Sequence, residues 1–292
     1  MKITEKNFRN FEAWALVTGA ASGMGRLYSK QLALKGYNII AVDINAAGLE
    51  AVSAEISAEI AGLSDWRSGS KEAFRILPVV QDLSKMEAAA ELHSKTTAAG
   101  VEEVEVLINN AGLLIYGYLL KEDPVKLSRI MMVHSFTPLL ICREYMPAMV
   151  RKGNGYVLNI SSLAAVMPWP VIGMYGNTKR FTKGYSRQLR VECRGTGVSV
   201  TNAYFGAVDT PLIGLKPNLR KLAHNLGVMI YPEKAIDSAL CATFARRKGA
   251  MPGFMNWIFY PICAILPDCI LSLMVRLIGG VLGVPPRLVI ED

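Results

Sequence analysis

The sequence predicts an α/β fold: a doubly wound parallel sheet with helices on both faces and an apolar C-terminal extension. Three observations predict it. Short, strongly apolar runs recur along the first two-thirds of the chain, longer segments of helical periodicity separate them, and a glycine-rich turn follows the first run. Strands covered on both faces read as near-continuous apolar runs, and strand–helix alternation supplies the covering helices.

Strands are expected at 15–18, 37–42, 76–80, 104–108, 156–160 and 198–203, with helices at 26–34, 49–60 and 127–150. The polar, Gly- and Ser-rich stretch 62–72 reads as a surface loop. With 51% hydrophobic and 19% charged residues, the 292-residue chain has enough apolar side chains for one large core, which excludes general disorder. Residues 1–248 form the α/β domain and 249–292 the extension. A formal net charge of +8 favours anionic partners. No basic helix or aromatic-basic strand accompanies it, so nucleic acid is not an expected partner.

Five cysteines without a CxxC spacing and three histidines point to free thiols in a reducing compartment and to no metal site. The polar N-terminal residues lack an apolar core of signal-peptide length, so a cytoplasmic location is expected. The stretch 250–267 carries no charge, but Pro252, Pro261 and Pro267 would break a straight spanning helix. Nearby Lys216, Arg220, Lys221 and Arg246 to Lys248 suggest peripheral contact with an anionic membrane. The alternative is a lid or subunit face buried in protein.

The turn after the first strand reads Thr18-Gly19-Ala20-Ala21-Ser22-Gly23-Met24-Gly25. Glycines permit a tight turn and close approach of backbone to a pyrophosphate, and the N-terminus of the following helix attracts that anion. Gly19, Ala21, Ser22, Gly23, Met24 and Gly25 are therefore candidate cofactor-binding residues. Asp43, ending the second strand, can bond ribose hydroxyls and repel a 2′-phosphate, which favours NAD(H) over NADP(H). It can equally cap the next helix, and Arg26 is the nearby cation able to accommodate a 2′-phosphate. Asp82 and Leu83 follow the third strand. Asp82 can accept from an adenine amine or serve as a helix N-cap, and Ser84 is a second N-cap candidate.

Tyr175 and Lys179 lie four apart, which puts both on one face of a helix. A phenol is a poor base at neutral pH, and a nearby ammonium favours its phenolate, so the pair can act as a general acid/base. Ser162, at the end of the fifth strand, can hold a carbonyl oxygen, with Ser161 as the competing hydroxyl. The end of a strand in a parallel sheet is where ligands bind.

Together these residues resemble the short-chain dehydrogenase/reductase family over 14–212. Thr18 to Gly25 is similar to its TGxxxGxG motif and Asn109-Asn110-Ala111-Gly112 to its NNAG motif. Ser162, Tyr175 and Lys179 fall at its catalytic spacing. The resemblance implies a Rossmann-type fold and an NAD(P)(H)-dependent oxidoreductase. Tyr175 would exchange the proton, Ser162 orient the carbonyl, and Lys179 bond the nicotinamide ribose. Asn110, Ala111 and Gly112 would line the cofactor site, and Gly206, Val208 and Thr210 would meet the carboxamide end. His134 stands where the family has Asn, and as an imidazole can pass protons or serve structurally. Phe205 replaces the family's Pro, and a final strand is not legible after Ala242.

The apolar tail resembles the subgroup acting on steroids, retinoids and long-chain 3-oxoacyl substrates. An apolar pocket is expected from the lid 211–232 (Leu212, Ile213, Leu215, Leu219, Leu222, Leu226, Val228, Met229, Ile230) with Met167, Trp169, Val171 and Ile172. The expected partners are a lipophilic alcohol or ketone, such as a steroid, bile acid or acyl chain, and a second copy of the chain in a dimer or tetramer. The alternative function is a catalytically silent dinucleotide-binding sensor or scaffold at a membrane.

Overall fold

The computed structural model describes residues 13–63, 74–101, 103–166, 172–210, 217–278, 285 and 288. In chain order the elements are β1 (Trp14–Thr18), α1 (Gly23–Leu34), β2 (Asn38–Asp43), α2 (Ala46–Ala61), β3 (Ile76–Val80), α3 (Ala88–Ala98) and β4 (Val104–Asn109). Next come α4 (Pro124–Met131), a π-helical turn (Met132–Phe136), α5 (Thr137–Lys152), β5 (Gly155–Ser162), α6 (Gly173–Glu192) and β6 (Val198–Phe205). The chain continues through β7 (Ala207–Val208), α7 (Pro217–Asn225), β8 (Met229–Ile230), α8 (Pro232–Phe244), β9 (Gly249–Ala250), α9 (Phe254–Ile265) and α10 (Asp268–Ile278).

The main sheet has seven strands in the order β3-β2-β1-β4-β5-β6-β9, and every pairing is parallel. Chain order reverses beside β1, which opens a crevice between the carboxyl ends of β1 and β4. Alternation along each strand divides the core. Ala15 and Val17 pack with Tyr28, Leu32, Leu49, Ile56, Ile236 and Leu240 from α1, α2 and α8. Trp14 and Leu16 face the opposite layer, with Leu92, Ile141, Cys142 and Tyr145 from α3 and α5. This two-sided burial is why all five residues of β1 are buried and apolar or nearly so.

Four sequence expectations need correction. A final strand does exist: β9 pairs Gly249 and Ala250 with Asn202 and Ala203 of β6. It is too short to stand out as an apolar run. The expected helix at 127–150 is interrupted by the π turn, yet continues through Pro147 to Lys152. Burial of Ile141, Cys142, Tyr145, Met146 and Met149 holds α5 together around the proline. Pro261 likewise lies inside α9, and the break in the tail falls at Leu266 and Pro267. Finally, Arg246 is engaged in the fold: its guanidinium donates to Gly197 O and Asn154 Oδ1 and covers the Tyr156 ring.

Helix α9 has 12 residues, well short of the roughly 20 needed to span a bilayer, and 11 residues of α10 lie within the described part of the chain. Among the described residues, one helical stretch, Pro124–Lys152, is long and apolar enough to cross a membrane. Its Val133, Ile141, Cys142, Tyr145, Met146 and Met149 belong to the domain core. Most of the expected loop 62–72 lies outside the described residues.

A clasp joins β1 to β4. The buried Thr18 hydroxyl accepts from Asn110 N (2.9 Å) and Ala111 N (3.0 Å), and Asn110 Nδ2 donates to Thr18 O (2.9 Å). Thr18→Val keeps the shape but leaves two N–H groups without their acceptor. Its unfolding free energy by urea titration is expected to fall by about 1–3 kcal/mol, while Thr18→Ser stays near wild type.

Candidate active site

The glycine turn is shaped by contacts that only glycine permits. A Cβ on Gly25 would lie 1.8 Å from Gly19 O, and one on Gly19 would lie 2.8 Å from Ala111 Cα. Gly19 and Gly23 have φ of 68° and 51°, in the left-handed region. Around Gly23 no atom comes within 4 Å of an added Cβ, so the turn opens outward. Ala21, Ser22 and Met24 complete this turn, and the first N–H groups of α1 have no acceptor within the helix. The site therefore fits the phosphates of a dinucleotide.

Asp43 ends β2 beside this turn. Its carboxylate accepts from Ala21 N (3.1 Å) and Asn45 N (3.0 Å), so it supports the glycine turn from behind. The cap of α2 is Asn45, whose side chain accepts from Gly48 N (3.1 Å). Arg26 makes a two-bond contact with Glu55 at 2.7 and 2.6 Å. Asp82 caps its own turn, accepting from both Ser84 N and Ser84 Oγ, and those bonds hold its carboxyl below the usual range. Leu83 is buried in the core, its carbonyl accepting from Thr137 Oγ1.

Ser162, Tyr175 and Lys179 converge at the carboxyl end of β5. Ser162 is the last residue of that strand, in register with Phe205 of β6. Its hydroxyl donates to Phe205 O (3.2 Å) and accepts from Ala164 N (3.1 Å). The competing Ser161 is buried and donates to Lys179 O (3.0 Å), a packing role. Lys179 is buried, and its ammonium donates to Ile160 O at 2.8 Å. Burial lowers its pKa to about 8.

The Lys179 ammonium sits 5.6 Å from the centre of the Tyr175 ring. The expectation that this charge governs the phenol is corrected. Burial is the largest influence and raises the Tyr175 pKa. The Ser162 hydroxyl pulls it back and Tyr116 pushes it further up. The ammonium is directed at a backbone carbonyl instead. His134 is fully enclosed, and burial together with the Lys179 charge holds its pKa well below the usual imidazole value, so it does not titrate near neutrality.

Phe205 remains paired to the end of β6, a position where a backbone N–H can still serve the ladder. Gly206 packs under α9, where an added Cβ would lie 2.5 Å from Asn256 Oδ1. Val208 is buried in β7, paired with Ile230 of β8, and Thr210 is buried beside it. Thr18, Thr178 and Asn256 escaped the sequence reading. The first two lie within recognised motifs but act by contacts that spacing does not reveal. Asn256 has no local signal at all.

Of the expected pocket, Met167, Trp169, Val171, Leu212, Ile213 and Leu215 and the Leu219 side chain lie outside the described residues. Leu222, Leu226 and Val228 are exposed rather than buried, while Met229 and Ile230 are buried in β8. Asp209 anchors α7, meeting Arg220 Nε at 3.1 Å and His224 Nε2 at 2.9 Å. In the tail, Val275 of α10 packs against Tyr116 and Tyr118. Tyr116 is also among the groups that push the Tyr175 pKa up.

A family model described as short chain dehydrogenase matches residues 13–218. The chain belongs to this family of nicotinamide-dependent oxidoreductases. A very-long-chain 3-oxoacyl-CoA reductase of Laccaria bicolor is 31% identical over 207 residues, covering 68% of the chain and 57% of that protein. The human 17-beta-hydroxysteroid dehydrogenase type 3 is 28% identical over 216 residues, covering 72% and 64%. The match thus spans less than two-thirds of each of these relatives. Among solved structures, a metagenomic short-chain oxidoreductase in complex with NADP is 25% identical, with a TM-score of 0.65, and covers 82% of the chain and 96% of its own.

The buried lysine gives a pH signature. In the unfolded chain it keeps its proton to 10.5, whereas folded Lys179 releases it around 8. Between those values the unfolded state binds more protons, so this residue makes stability rise with pH. From pH 8 to about 9, stability measured against a Lys179→Met variant is expected to rise by about 1 kcal/mol. Chemical denaturation of both proteins at each pH checks it, and parallel curves would refute it.

Proposed function

We propose that the chain interconverts a lipophilic secondary alcohol and its ketone, with Tyr175 as acid/base. The observation that carries this reading is the convergence of Ser162, Tyr175 and Lys179 at the carboxyl end of β5, beside a glycine turn that fits a dinucleotide. Gly19 and Ala21 to Gly25 would hold the pyrophosphate, and Asp43 the adenosine ribose. Asp82 and Leu83 would border the adenine. Asn110, Ala111 and Gly112 would line the middle of the site, and Gly206, Val208 and Thr210 the carboxamide end. Bound nicotinamide supplies or accepts the hydride.

Ser162 Oγ hydrogen-bonds the substrate oxygen and fixes its position. In reduction the Tyr175 hydroxyl delivers its proton to that oxygen, and in oxidation the phenolate removes it. Burial favours the protonated phenol, which suits the reductive direction. Lys179 places an ammonium under the ring and bonds the nicotinamide ribose.

NAD(H) is the preferred cofactor on this reading. The Asp43 carboxylate opposes a 2′-phosphate, and Arg26, the cation best placed to accept one, is paired with Glu55. A lipophilic substrate is supported by the named substrates of the two relatives and by the apolar tail beside Tyr116. Phe254, Trp257, Ile265 and Leu277 project outward from α9 and α10, with exposures from 64% to 81%, and favour a lipid surface as the tail's outer contact.

Two measurements test the reading. Turnover followed at the nicotinamide absorbance, against steroids, bile acids and 3-oxoacyl thioesters, should be found for wild type. It should fall at least about a hundredfold in Tyr175→Phe with cofactor binding retained. Equal rates in the two proteins would refute Tyr175 as acid/base. In Asp43→Ser, the ratio of kcat/KM for NADP(H) over NAD(H) is expected to rise about tenfold or more.

A further inference from the structure

The π turn Met132–Phe136 places His134 between two parts of the site that belong to different elements. On one side its Nε2 lies 2.8 Å from Leu113 N, the residue that follows Asn110-Ala111-Gly112. On the other its Nδ1 lies 3.0 Å from Thr178 Oγ1, in the helix that carries Tyr175 and Lys179. A backbone N–H can only donate, so Nε2 must be the unprotonated acceptor. The ring proton is then on Nδ1, where it donates to Thr178 Oγ1. That hydroxyl in turn donates to Tyr175 O at 2.7 Å. Every group in this chain has one consistent role: Leu113 N–H to Nε2, Nδ1–H to Thr178, Thr178 O–H to Tyr175 carbonyl.

The surroundings fix the ring further. Its edge-to-face contact with the Tyr175 ring has a centroid separation of 5.4 Å and an angle of 82°. A Cβ on Gly112 would lie 3.0 Å from His134 Nε2, so the ring lies against the loop after β4. The backbone of the π turn is fastened to α6 as well: Thr182 Oγ1 donates to His134 O at 3.0 Å. The facing ionisable groups are Lys179 and Tyr175, and the ammonium opposes a second positive charge on the imidazole.

We propose that His134 is a positioning residue which, as a neutral imidazole protonated on Nδ1, ties the loop after β4 to the first turns of α6 and so sets Tyr175 against the cofactor-binding loop. It passes no proton in turnover, because both ring nitrogens are committed to fixed partners. The proposal rests on the oxidoreductase reading above for its effect on rate, but not for its ring state.

Nitrogen-edited NMR of the whole protein, with the His134 signals identified by their loss in His134→Gln, tests the ring state. A neutral Nδ1–H tautomer unchanged between about pH 5 and 8 is expected. An Nε2–H tautomer, or protonation near neutrality, would overturn the proposal. Kinetics test the positioning. His134→Phe keeps a ring but loses both bonds, and its kcat should fall about tenfold to a hundredfold, with KM for the carbonyl substrate within about threefold of wild type. His134→Gln offers an acceptor and a donor in one amide. It should recover kcat to within about threefold with the midpoints of the pH–rate profile unmoved. A Gln variant as slow as the Phe variant, or one that loses a limb of the profile, would count against positioning. Should His134→Phe fail to fold, Thr178→Val severs the same link from the other side and should show the same split between kcat and KM. A wild-type protein that turns over nothing would defeat the oxidoreductase reading, and the NMR result would still decide the ring state.

Discussion

All seven strands of the main sheet run in one direction, and that constraint organises everything else. Parallel strands need crossovers, which place helices on both faces and make the strands largely apolar. They also bring every carboxyl end to one edge. The glycine turn after β1, Asp43 after β2, Asn110 after β4, Ser162 at the end of β5 and Gly206 after β6 meet there despite their separation in sequence. The reversal of strand order beside β1 then leaves room for a ligand between them.

Within that frame, buried polar contacts fix the registration of helix on sheet. Asn109, Asn159 and Asn202 occupy one row across β4, β5 and β6. Asn109 Nδ2 donates to Asn159 Oδ1 at 2.8 Å, and Asn159 Nδ2 to Ser186 Oγ at 2.9 Å. Ser161 Oγ donates to Lys179 O, and the Lys179 ammonium donates to Ile160 O, adding two bonds between β5 and α6. An apolar interface tolerates sliding, whereas a buried polar group that loses its partner costs about 1–3 kcal/mol. These bonds therefore specify where along α6 the Tyr175 phenol sits relative to Ser162. His134, in the π turn, bonds both Leu113 of the loop after β4 and Thr178 of α6.

The tail follows a different principle. Among the described residues its inward contacts include Asn256 against Gly206, Tyr260 against Tyr204 and Lys183, Val275 against Tyr116 and Tyr118, and Tyr118 Oη donating to Pro285 O. Phe254, Trp257, Ile265 and Leu277 stay exposed on its outer faces.

By itself the sequence determined the strands and the principal motifs, because apolar periodicity and glycine spacing are local consequences of burial and backbone sterics. All six expected strands fall within two residues of those observed. Spacing and strand ends single out Gly25, Asp43, Ser162, Tyr175 and Lys179 as candidates. The short β9 was not legible, since two residues carry no period, and Pro261 misled because α9 runs through it. Only the tertiary structure decided the electrostatics. Whether the Lys179 ammonium faces a phenol or a carbonyl, and which nitrogen of His134 bears the proton, depends on partners from distant segments. Burial then decides which charged forms persist, and burial is a property of the assembled fold rather than of any stretch of chain.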